Sequence, residues 1–139
     1  EANTINLQDW YPDGDQERVT MSDEEMEGRR ILKLELKLNE EQHPSWRTGL
    51  LLSTGRYRFH ARLKTDSVIP VESADARGAG IRILDGAREN SLTGSNEWSD
   101  VTYEFTIPED LRHVELVVEL HARFGKLLID AESLKLEKL

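Results

Sequence analysis

From Ile31 to Leu136 the chain alternates apolar and polar residues, and Gly, Pro, Asn, Asp or Ser interrupts each short run. A period of two sends successive side chains to opposite faces, which is the pattern of half-buried strands and not of helices. "ILKLELKL" sets Leu32, Leu34, Leu36 and Leu38 against Lys33, Glu35 and Lys37, and "RYRFHARLK" sets Tyr57, Phe59, Ala61 and Leu63 against Arg58, His60 and Arg62. "GAGIRIL", "WSDVTYEFTI", "VELVVELHA" and "KLLIDAESLKL" repeat the pattern. The expected inward set is Leu34, Leu36, Tyr57, Phe59, Ile81, Ile83, Tyr103, Phe105, Leu116, Val118 and Ile129. Helix competes in two stretches, "SDEEMEGRR" with Ser22 as N-cap and "PEDLRHV". Seven or eight short strands with turn-rich connections predict an all-β fold, a two-sheet antiparallel β-sandwich of jelly-roll type.

The length of 139 residues suits one domain over 1–139, with an acidic segment, 1–28, packing on or preceding the sandwich. The absence of cysteine excludes disulfides, thiolate metal sites and a thiolate nucleophile, and leaves the compartment open. A net charge of −9 opposes nucleic acid, whose phosphates demand a basic face, and opposes an anionic membrane surface. With no apolar run of about 18 residues, membrane insertion is not expected. The chain begins at Glu1 without an initiator Met and is read as part of a larger polypeptide.

The order "GRYRFHARLK", "GIRI", "EWSDVTYEFTIP", "VELVVEL" and "LLIDAESLKL" resembles the galactose-binding-domain-like jelly rolls. Among these are non-catalytic carbohydrate-binding modules of secreted polysaccharide-degrading enzymes. The resemblance covers about residues 31 to 138. It implies a carbohydrate-binding-type accessory module of a larger secreted or surface protein, extracellular and bacterial. Because the same jelly roll also serves as a spacer, a structural or protein-contact domain without a small ligand is the alternative. The resemblance makes Trp98 a structural wedge that opens a strand and seals the core edge, a ligand platform being the other reading of this residue. It also implies a structural calcium at Asp130, with carboxylates of "DWYPDGDQE" and "SDEE" as further ligands, and no other cofactor.

A sugar site needs an aromatic face and hydrogen-bonding side chains. Trp46 with Arg47, behind a polar loop, is one candidate, core packing being the other reading of Trp46. The loop "DGAREN" offers Arg88 and Asn90. Trp10 and Tyr11 are read as pins for the N-terminal segment. Arg58, His60 and Arg62 share one strand face; they either form ion pairs with Glu115 and Glu119 of a neighbouring strand or line a groove for an acidic or hydroxyl-rich polymer. The four histidines lack zinc spacing, and no GxSxG, P-loop or carboxylate pairing points to catalysis, so no enzyme is expected.

Overall fold

Alternating sequence becomes strand along most of the chain in the computed structural model, which describes residues 3–72 and 77–139. The strands are β1 Thr4–Asn6, β2 Tyr11–Asp13, β3 Val19–Met26, β4 Arg29–Leu36, β5 Ser45–Pro70, β6 Gly78–Ile83, β7 Gly94–Asp130 and β8 Lys135–Lys138. The helical content among the described residues is one 3-10 turn at Ala131–Ser133.

β5 and β7 are long, bent strands that run through both layers. Partner numbers fall as residue numbers rise, so each stretch is antiparallel: Ser45 faces Glu119, Ser53 faces Leu111, Gly55 faces Ile107 and Arg62 faces Asp100. One layer is built from β2, residues 45–53, residues 111–121 and β6. The other is built from β3, β4, residues 122–130, residues 55–70 and residues 94–107, with β8 and then β1 beside residues 57–60. Leu32, Leu34, Phe59, Leu63, Leu127 and Ile129 of this second layer meet Trp46, Leu52, Ile81, Leu116, Val118 and Leu120 of the first in one core. The arrangement is the all-β sandwich that the alternation predicts.

The expected inward set is buried except for Tyr103, which is half-buried. Leu38 lies beyond the end of β4 and is exposed. Both expected helices are strands. Residues 19–26 pair with β4 from Val19–Leu36 to Met26–Arg29, and Glu27 and Gly28 form the connecting turn with φ of 52° and 81°. Two consecutive positive φ angles make the tight hairpin turn that matches strand twist, and eight paired residues outweigh a helix too short to repay its nucleation. "PEDLRHV" lies within β7, where Leu111, Arg112 and His113 face Ser53, Leu52 and Leu51. The acidic segment thus contributes β1, β2 and all of β3, and Leu7, Trp10 and Val19 enter the core. Trp10 stacks on Phe59 with centroids 6.1 Å apart, while Tyr11 stays exposed.

Candidate functional site: a tryptophan groove

Trp98 lies on the outer face of the second layer, on the strand parity opposite to Val101, Phe105 and Ile107, and a β-bulge adjoins it. Thr65 faces Asn96 and Leu63 faces Ser99, so Lys64 alone opposes both Glu97 and Trp98. An extra residue of this kind kinks the strand and re-aims its side chains. Val101, Phe105 and Ile107 keep the inward parity, whereas Trp98 is half-buried and absent from the core cluster. The wedge reading is therefore corrected: the indole borders a groove. The Arg62 guanidinium carbon lies 5.7 Å from the ring centroid.

The groove consists of two adjoining depressions of about 220 and 330 Å³ that share Lys64 and Leu128. The first is walled by Met26, Arg29, Ile31, Arg62, Trp98 and Asp130, and the second by Asp66, Asn96, Glu97 and Lys126. An aromatic ring, apolar patches from Met26 and Leu128, and several charged or amide groups together give the mixture that a sugar ring requires.

Asp130 is 2% exposed at the base of this groove. Arg29 Nε and Nη2 donate to its carboxylate at 3.1 and 2.8 Å, Glu132 N donates at 3.1 Å, and Arg62 Nη1 is 3.9 Å away. The bidentate fork is the strong form of this contact, and the carboxylate's hydrogen bonds hold Arg29 above its ordinary pKa. This donor set does not fit calcium. The carboxylate already faces two guanidinium cations, and among the described residues no group of three or more acidic, His or Cys side chains gathers around a common point.

The basic row on β5 is an ion-pair lattice, but its partners differ from those expected. Glu115 and Glu119 belong to the other layer, because β5 bends away from residues 111–119 before Arg56 is reached. Arg58 instead pairs with Glu104 at 2.8 Å and Glu137 at 3.5 Å, and His60 pairs with Glu137 at 3.1 Å. Both lie along the outer face beyond the Trp98 groove, and only Arg62 of the three borders it.

The structure scatters the remaining candidates. Trp46 is 4% exposed, and its Nε1 donates to Lys33 O of the opposite layer at 3.3 Å. It shares strand parity with Thr48 and Leu52, both buried, so the alternation turns it inward and it offers no face to a ligand. Arg47 pairs with Asp13 of β2 at 3.0 Å. Arg88 has a fully buried side chain that donates to Glu119 at 2.8 Å and to the carbonyls of Ala79, Gly78 and Arg77 at 3.0 Å each. Asn90 receives a hydrogen bond from Ile81 N at 2.8 Å and donates to Ile81 O at 2.9 Å, as a neighbouring strand would. These two close the edge of β6 and stand away from Trp98.

Sequence reasoning did not single out Glu119 as a hub. It is 1% exposed and accepts from Arg82, Arg88 and His43, and His43 stacks on His121 at 4.1 Å between ring centroids. Burial alone would raise its pKa, but hydrogen bonds from His43 and Arg82 and their charge hold it at about 2. Arg29, Asn96 and Lys126 were also missed, because only the bulge and the strand order bring them beside Trp98.

No protein-family model matches the chain, and no curated protein matches it in sequence. Solved structures do match in fold. The carbohydrate-binding module TmCBM61, in complex with β-1,4-galactotriose, aligns with TM-score 0.60 and 14% identity over 94% of this chain and 88% of that one. The BiXyn10A CBM1 module aligns with TM-score 0.61 and 15% identity over 96% and 95%. The Clostridium thermocellum xylanase Xyn10B CBM22-1-GH10 modules, complexed with xylohexaose, align with TM-score 0.55 and 11% identity over 98% of this chain, which spans 28% of that longer one. The chain therefore has the jelly-roll fold of carbohydrate-binding modules.

Proposed function

We propose that this chain is a non-catalytic carbohydrate-binding-type module of a larger secreted or surface protein, and that it takes sugar in the Trp98 groove. The observation that carries the reading is the half-buried indole on the outer face, bordering a polar groove instead of the core. The shared fold supports it, since neighbours of that fold have been solved with β-1,4-galactotriose and xylohexaose. Among the described residues no helix is long and apolar enough to cross a membrane.

The test separates binding from folding with two tryptophans. Trp98→Ala should abolish binding on a glycan array while the melting temperature stays close to that of the parent. Trp46→Ala should cost about 3–5 kcal/mol of stability, as truncation of a buried aromatic does. Unchanged glycan binding by Trp98→Ala would overturn the assignment of the groove.

The rival reading, a protein-contact domain, has one specific observation in its favour. Ile69 and Phe124 are register partners and are 40% and 38% exposed. Full retention of partner association with no glycan bound would favour it.

A further inference from the structure

Every arginine side chain among the described residues donates a hydrogen bond except one. Arg29, Arg30, Arg58, Arg82 and Arg88 each grip carboxylates, and the others each reach at least one oxygen. Arg62, whose guanidinium carbon lies 5.7 Å from the Trp98 ring centroid, otherwise has only long ion pairs of 3.9 Å to Asp100 and to Asp130 among the described residues. The hydrogen bond at this residue belongs to its backbone N–H, which donates to Ser133. Its side chain is 45% exposed at the groove, and its guanidinium donates no hydrogen bond to the described residues. Two further cations share that surface with the carboxylates of Glu27, Asp66, Glu97 and Asp130. Among the described residues Lys64 has a single ion pair, at 3.6 Å to a Glu97 whose side chain is 92% exposed. Lys126 lines the adjoining depression, and its ammonium makes no ion pair or hydrogen bond among the described residues, acting only at longer range on Glu24.

A planar fork with free donors matches a carboxylate in two parallel hydrogen bonds, and two ammonium groups along the same groove add charge without demanding a fixed geometry. We propose that the groove selects acidic glycans: a sugar ring lies against Trp98, and its uronate carboxylate is held by Arg62, with Lys64 and Lys126 receiving further charge along the chain. This rests on the reading of the groove as a glycan site. The chain's net charge of −9 acts against a polyanion at long range. At physiological salt such fields fade within about 8 Å, whereas contact in the groove does not.

The experiment is calorimetric titration of the whole chain with oligogalacturonate, oligomannuronate, a hyaluronan tetrasaccharide and a glucuronoxylo-oligosaccharide, each beside its carboxyl-reduced neutral counterpart. At least one acidic probe should bind roughly tenfold or more tightly than its reduced form, the range of a charged hydrogen-bonded contact. Arg62→Gln should erase that difference, and Arg62→Lys, which keeps the charge but loses the fork, should restore part of it. Equal binding of acidic and reduced probes, or a preference that survives Arg62→Gln, overturns the inference. Trp98-dependent binding of neutral probes alone would sink the acidic preference and leave the glycan reading standing. Absence of binding by both classes would remove both.

Discussion

Among the described residues Glu119 has the most ion-pair partners, three. A carboxylate with 1% exposure persists as an anion only because Arg82, Arg88 and His43 surround it, and removing one side of such an arrangement strands the rest. Its pKa falls from an ordinary 4.5 to about 2 in the folded chain. A depressed carboxyl contributes stability that is complete above the unfolded value and is lost as pH falls through the folded one. That contribution, about 3 kcal/mol, should vanish progressively between about pH 4.5 and 2. Urea titrations should show Glu119→Gln about 3–5 kcal/mol less stable than the parent at neutral pH, with the gap narrowing across that acid window. A constant gap down to pH 2 would contradict the assignment. Glu119 was legible only as an outward-facing glutamate, because its cations arrive from β6, from the loop after it and from His43.

At the scale of elements, the edge of β6 shows how a loop can replace a strand. Asn90 occupies both backbone groups of Ile81, and Leu92 exchanges hydrogen bonds with Ala79. The loop lies so close that a methyl group on Gly80 would overlap Arg88 Nη1 and Asn90 Oδ1 and sit 2.8 Å from Arg88 Cδ. Gly80→Ala should therefore lift the loop, cost about 1–3 kcal/mol as overpacking does, and speed amide exchange at Ile81. Wild-type exchange at that amide in the variant would refute the closure. Strands, inward parity and most core residues could be read from alternation, since the period of two is local. Bends and bulges are not local. Nothing in "SNEWSD" announces that Lys64 must oppose two residues, and "STG" reads as a turn between two strands without saying that one strand bends there into the other layer, so Arg58 and His60 were matched to the wrong acids. The same parity count that places Phe105 inside places Trp98 outside; the family resemblance pulled it towards the core.

Across the whole molecule, the Arg29–Asp130 pair takes the place where the resemblance implied an ion. A guanidinium bound at 2.8 and 3.1 Å neutralises the buried carboxylate from within the chain. Ligands that bind only the native state raise the melting temperature with their concentration. The melting temperature should accordingly be the same in EDTA and in millimolar calcium, and a rise with calcium would show that the ion displaces Arg29. The path of β5 has a broader consequence. The strand that floors the groove at Arg62 and Lys64 is the same strand that, from Ser45 to Ser53, forms part of the opposite layer, and β7 follows it through the bend. The layers are thus threaded by shared backbone instead of joined by flexible loops, and neither can loosen without dragging on the other. A sugar seated at one surface would hold the remote sheet shut as well, so occupancy of the groove would be felt as slower opening everywhere in the domain.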